Sequence, residues 1–268
     1  MKSKAFWSIL IVLIINLQPH SSFATSSETK PGLSTAKQIY QLIVYHLKNQ
    51  AQEKRVDQYL SAAFIPAAHH SGIKTVGVFK SIGIDTALDK RVYVLLAYRS
   101  LAEMQKANAL IEKDHSPEGE DYANATYDNA AYLRKEVILM EAFSAMPALK
   151  KPEFRGDRTN RIYELRSYEA ATEKLYRNKV SMFNEGNETE IFERIGSQPM
   201  FYGEVIAGSR MPNLMYMTTY SDMKSRDEHW KTFSDDAKWK MLSADAKYLH
   251  NVSKSDIIFL TSTAYSDL

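Results

Sequence analysis

Cysteine is missing from all 268 residues. Disulfides, thiolate metal sites, thiol nucleophiles and lipid attachment through an N-terminal cysteine are thereby excluded, so stability in an oxidising space has to come from the core. A surplus of one charge is missing too, since 34 Lys and Arg stand against 32 Asp and Glu. Nucleic acid is therefore excluded as the main partner, because phosphate binding needs cations gathered on one face and none cluster here. No phosphate-cradling glycine loop, HExxH, Gly-x-Ser-x-Gly or carboxylate-rich calcium loop occurs. These absences indicate no metal and no cofactor, and they leave the catalytic residues, if any, unknown.

What is present is the composition of a soluble globular protein, 44% apolar and 25% charged, with room for one large core or two modest ones. Lys2 and Lys4 precede an apolar run from Ala5 to Leu17, and Ser22-Phe23-Ala24 follows as a small-x-small pattern. Together these predict a signal peptide over residues 1–24, cleaved before Thr25, and an exported, periplasmic protein. An uncleaved N-terminal anchor is the alternative, although the run is short for a membrane span, and no later run is long enough for one. Residues 25–36 are polar, contain Pro31 and Gly32, and read as a flexible leader.

Beyond the leader the pattern is strand, helix, strand, strand, helix, strand. Ile39 to His46 is dense in apolar and aromatic residues, as in a strand buried on both faces. From Arg55, apolar residues at Val56, Tyr59, Leu60, Ala63, Phe64 and Ala67 mark one helical face, with Pro66 predicting a kink and Gly72 an end. Strands follow at Ile73–Phe79 and Arg91–Tyr98 around a turn at Gly83–Lys90. Ser100 then caps a helix through Ile111, Tyr122–Tyr132 resumes helix after a loop, and a strand runs near Glu136–Phe143.

Residues 147–159 have linker composition, after which the pattern restarts. Ile39-Tyr40-Gln41-Leu42 is answered by Ile162-Tyr163-Glu164-Leu165, Gly72 by Gly196, and the Tyr98 strand end by Tyr220, at offsets of 122 to 124 positions. A nearly constant offset at separated places is an internal duplication. Each half, 37–146 and 160–268, has the order of a ferredoxin-like βαββαβ unit, whose helices cover one face of an antiparallel sheet. In the second half, Ala170–Arg194 is mainly helix with Gly186 interrupting, and Met200–Ile206, Leu214–Tyr220 and Ile257–Thr261 are strands. Asp222 caps a helix carrying Trp230 and Phe233, and a short one follows with Trp239.

The second half, from Ile162-Tyr163-Glu164-Leu165-Arg166-Ser167-Tyr168 through Met215-Tyr216-Met217 to His229-Trp230-Lys231-Thr232-Phe233 with Asp236 and Trp239, resembles a NIPSNAP domain. The first half resembles a divergent second copy, with Tyr40-Gln41-Leu42 and Gly72-Ile73-Lys74-Thr75-Val76 fitting but no Trp-centred segment. The resemblance implies membership of the dimeric α/β-barrel superfamily, an α+β fold. Two tandem ferredoxin-like sheets would pack face to face as an intrachain barrel, burying the face that the helices leave exposed. A homodimer with an intermolecular barrel is the alternative. Haem-degrading and quinone-forming monooxygenases share that superfamily, so fold alone does not fix the function.

Strand alternation puts Tyr163, Leu165 and Ser167 on one face and Glu164, Arg166 and Tyr168 on the other. That polar row is either a structural network or a pocket that orients a small anionic or carbonyl ligand. His229 beside Trp230 is either packing or a general base or haem ligand. His69 and His70 are sequence neighbours that diverge on a helix and make a poor chelate. The candidate ligand-binding residues are therefore Glu164, Arg166, Tyr168, His229 and Trp230, although the strand and helix sets need not share one side of the sheet. The functional expectation is a small apolar or aromatic ligand, or a protein partner, held between sheet and helices. A cofactor-light enzyme of the monooxygenase or isomerase type is the alternative.

Overall fold

The computed structural model of the protein describes residues 36–82, 90–113, 116–154 and 157–268. The expected signal peptide, nearly all of the leader and most of the Gly83–Lys90 turn lie outside the described residues.

In the first half, β1 (Ile39–Leu47) leads to α1 (Gln50–Tyr59) and α2 (Ile65–His70), then β2 (Val76–Ser81), β3 (Lys90–Tyr98), α3 (Leu101–Glu112), α4 (Glu120–Ala123) and β4 (Arg134–Ala142). The first helix begins five residues before Arg55, because Asn49 accepts a hydrogen bond from the Gln52 amide and caps it. Pro66 has no amide hydrogen to give to Ala62, and its ring crowds that carbonyl. The chain answers with a π turn over Leu60–Phe64, in which the Ile65 amide reaches back five residues to the Leu60 carbonyl. Gly72, at φ +98°, closes α2 with bonds from its own amide to His69 and from Ile73 to Ala68. The expected helix over Tyr122–Tyr132 stops at Ala123 instead. Thr126, Asp128 and Asn129 form a turn closed by side-chain and backbone bonds, which such residues favour over helix.

The second half repeats this plan with β5 (Ile162–Glu169), α5 (Glu173–Asn184), α6 (Glu188–Arg194), β6 (Gln198–Ala207), β7 (Asn213–Tyr220), α7 (Met223–Asp235), α8 (Ala237–Ala244) and β8 (Lys254–Ser262). The repetition reaches the register: Ile39 lies opposite Tyr98, and Ile162 lies opposite Tyr220. Gly196, at φ +82°, closes α6 with the same two kinds of bond that Gly72 makes.

The strands close into one antiparallel barrel in the order β1-β3-β2-β8-β5-β7-β6-β4. Each half supplies four consecutive staves, and the seams are β2 to β8 and β4 to β6. The chain is thus α+β, with two ferredoxin-like sheets forming an intrachain α/β barrel and the helices outside. Alternate strand residues fill the interior, among them Leu42, Leu95, Met140, Leu165, Met217 and Leu260. The other faces of β1 and β5 meet the helices in two separate cores. Aromatic pairs lock the halves together across the interior. Tyr40 packs on Phe201 at 5.2 Å between ring centroids and Phe79 on Tyr163 at 4.8 Å, each pair contributing about 1 kcal/mol beyond area burial.

The β2 to β8 seam has three paired positions, Phe79 with Ser262 to Ser81 with Leu260. Beyond it the C-terminal segment takes the rest of the β2 edge. Thr263 and Asp267 donate to the Val78 and Val76 carbonyls, and the Ser266 hydroxyl and Asp267 carboxylate accept from the Val78 and Val76 amides. Leu268 is thereby buried against the barrel interior, and Gly77 leaves room for it: a Cβ there would lie 2.8 Å from Leu268 Cδ1. Arg158 donates to the Thr263, Ser266 and Leu268 carbonyl oxygens and holds the segment down. Among the described residues no helix is long and apolar enough to cross a membrane.

Candidate functional site

β5 presents Tyr163, Leu165 and Ser167 to the barrel interior, so Glu164, Arg166 and Tyr168 face the helix layer. The Asp222 side chain accepts from the Ser225 amide and starts α7 at the angle that lays Trp230 over this row. Glu164 is fully buried and saturated. It accepts from Arg166 Nε at 2.6 Å, Arg226 Nε at 2.7 Å and Nη2 at 3.1 Å, and Trp230 Nε1 at 2.8 Å. The Arg166 guanidinium lies 3.7 Å from the Trp230 ring centre, a cation–π contact out of water, and donates to the Tyr168 hydroxyl at 2.9 Å. Tyr168 in turn shares a hydrogen bond with Tyr216 at 2.9 Å.

Burial works against the Arg166 charge, but Tyr216, Tyr168 and Glu164 outweigh it, and its pKa is raised. A second buried pair lies beside this web: Lys179 Nζ donates to Glu188 at 2.8 Å. Burial raises the Glu188 pKa despite the attraction of Lys179. Four of the five predicted residues therefore meet on the helix side of the sheet, where their polar atoms are spent on one another and on Arg226.

His229 stands apart from them. Its Nδ1 hydrogen goes to the Ser225 carbonyl at 2.7 Å, which leaves Nε2 as the lone-pair nitrogen of the neutral ring. That nitrogen has no hydrogen-bond partner among the described residues and faces Gly196, where an added Cβ would lie 3.5 Å away. The ring packs 5.6 Å from Tyr220, whose hydroxyl burial pushes up to about 12. His69 pairs with Asp267 at 2.9 Å, while His70 is exposed. Among the described residues no group of three or more His, Cys, Asp or Glu is placed to hold a metal ion.

The cavity that sequence reasoning missed lies inside the barrel, at the end opposite the C-terminal segment. Its cavity volume is about 60 Å³, and it opens to solvent. Leu42, Tyr93, Ile138, Leu165, Met215 and Ile258 are among its apolar wall residues, and Ser167 and Asn213, with His46 nearer the rim, are buried polar groups of the lining. His46, Arg91, Glu136 and Arg210 stand at the rim. Arg210 forms ion pairs with Glu169 and Asp256, while Arg134 contacts both His46 and Glu136. The repeat and the strand alternation point to these positions, but only once the interior face is known.

Residues 163–267 match the family model described as NIPSNAP. Comparison with curated proteins finds no match. Among solved structures, a provisionally assigned monooxygenase of Fusobacterium nucleatum is similar in fold. It has TM-score 0.55 and 9% identity, covering 85% of this chain and 93% of that one. A provisionally assigned monooxygenase of Lactobacillus acidophilus has TM-score 0.52 and 12% identity, covering 84% and 94%. A NIPSNAP family protein of Agrobacterium tumefaciens aligns with 20% identity and TM-score 0.36, covering 40% of this chain and 98% of its own. The two monooxygenase-like structures show the fold alone, the full α/β barrel, and within that barrel residues 163–267 are the part of this chain that is similar to the NIPSNAP family.

Proposed function

We propose that the protein binds a small, largely apolar ligand in the open mouth of the barrel. The observation that carries this reading is an apolar-walled cavity with buried polar groups in its lining, the usual make-up of a ligand site. The sheet-to-helix cluster around Glu164 supports a structural role by contrast, because Glu164, Arg166, Tyr168 and Trp230 already satisfy one another. The signal-peptide pattern supports export, with the mature chain starting at Thr25 and working in the periplasm as a monomer, since one chain closes its own barrel. The mature N-terminus, read by mass spectrometry, tests the cleavage site.

A thermal-shift screen with haem, quinones, fatty acids and small aromatics tests the binding. Ile258→Trp fills the mouth from a half-buried wall position and is expected to abolish stabilisation by any hit while leaving circular dichroism unchanged. Stabilisation that survives Ile258→Trp but disappears in Arg166→Ala would move the site to the helix side. A second reading, an enzyme of the monooxygenase or isomerase type, rests on His229, whose Nε2 is oriented and unspent beside Tyr220. Turnover of a screened compound that is lost in a folded His229→Ala variant would establish that reading instead.

A further inference from the structure

The duplication gives the mouth an internal control. A barrel of two identical halves would present each wall residue twice, so positions where the halves differ are where the site is specialised. The Leu42 and Leu165 positions are the same residue, and so are Ile138 and Ile258. Val44, however, corresponds to Ser167, and the Arg91 position corresponds to Asn213. Half of the wall therefore carries a neutral polar spot that the other half lacks.

Ser167 and Asn213 are both almost wholly buried. Asn213 Nδ2 donates to Ser167 Oγ at 2.9 Å, and Ser167 Oγ lies 3.2 Å from Asn213 Oδ1. Even with both contacts made, one Nδ2 hydrogen and one Oδ1 lone pair of the amide are left over. Among the described residues no other side chain takes them. A buried amide with a spare donor and a spare acceptor is costly beside an apolar cavity unless something in the cavity completes it. The charged rim gives no equivalent call for an ion. Arg210 is matched by Glu169 and Asp256, Arg134 by Glu136, and Arg91 is itself engaged. A carboxylate entering the mouth would lose its water without gaining an unmatched cation.

We infer that the barrel mouth takes an uncharged, largely apolar molecule bearing one hydroxyl or carbonyl oxygen, which docks on the Asn213 amide beside Ser167. This rests on the proposal that the mouth is a ligand site, and the test separates the two. The probes are 2-naphthol, 2-methylnaphthalene and 2-naphthoate, which share a ring system and differ in the group offered to Asn213. Dissociation constants are measured on the mature chain by ligand-observed NMR.

The expected order is 2-naphthol tightest, 2-methylnaphthalene about five-fold weaker for want of the hydrogen bond, and 2-naphthoate about ten-fold weaker or more. Asn213→Leu should erase the preference for 2-naphthol over 2-methylnaphthalene. Asn213→Ala is the second variant should leucine prevent folding. Tightest binding of 2-naphthoate would overturn the uncharged ligand class. Equal binding of the other two probes by wild type, or an unchanged preference in a folded Asn213 variant, would overturn the Asn213 contact. Binding of none of the three would overturn the ligand site itself.

Discussion

Replacing Glu164 with Gln is the sharpest probe of the polar web under α7. The wild-type carboxylate has no contact with water and receives four hydrogen bonds from three cationic or polar partners. Glutamine keeps the shape but loses the charge, and its amide nitrogen turns two hydrogens toward groups that are themselves donors. Arg166 then lies nearly buried with its closest counter-ion gone, whereas Arg226 can still lean on Asp227 at 2.9 Å. Removing one member of a buried ion pair costs about 3 kcal/mol or more, and that is the loss expected here. Trp230→Phe removes one hydrogen bond to a carboxylate and weakens the stacking surface under Arg166, for a loss of about 2 kcal/mol. Equilibrium urea unfolding followed by circular dichroism measures both, with unchanged m-values as the check that the unfolding transition is comparable. A loss below about 1 kcal/mol for Glu164→Gln would refute the view that this cluster holds α7 to the sheet.

Gly203 lies opposite Ala142 on the β4 to β6 seam, and a Cβ there would approach Met140 Cβ to 2.9 Å. Gly203→Ala is therefore expected to cost about 1–3 kcal/mol by the same unfolding measurement, and wild-type stability would contradict the seam geometry. Glu53 accepts from Lys80 and also pairs with Lys90, and the Lys80 hydrogen bond holds its carboxyl below the ordinary value of 4.5. Its contribution is present above pH 4.5 and is lost as pH falls through the lowered value. Glu53→Gln should lower the melting temperature at neutral pH and flatten its fall below pH 4.5, and a parallel shift at every pH would contradict the assignment.

The fold was legible because the chain states its plan twice. The Tyr40 and Tyr163 strands, the Gly72 and Gly196 helix ends and the Tyr98 and Tyr220 strand ends recur at one spacing, and each pair performs the same task in the structure. Local chemistry read less well where it depended on neighbours. The 122–132 stretch carries helical spacing, but Asn, Asp and Thr satisfied the backbone locally while Tyr122 and Tyr132 turned in on Tyr45. The site was half legible. Alternation on β5 separates Glu164, Arg166 and Tyr168 from Leu165 and Ser167, yet it cannot say which set faces the helices. That depends on closure of the barrel. His229 and Trp230 are about one hundred degrees apart on their helix, which is why only Trp230 reaches the Glu164 web. The mouth has no local motif at all, since its wall is assembled from seven strands.

The most direct test of the ligand-site account is the position of a bound molecule. Isotope-filtered NOEs from 2-naphthol on methyl-labelled protein would locate it without any assumption about activity. Contacts to the Leu42, Leu165, Ile138 and Ile258 methyl groups are the predicted result. Contacts to the methyl groups of Ile191 and Ile195, on the helix side near Trp230 and His229, with none inside the barrel, would contradict it.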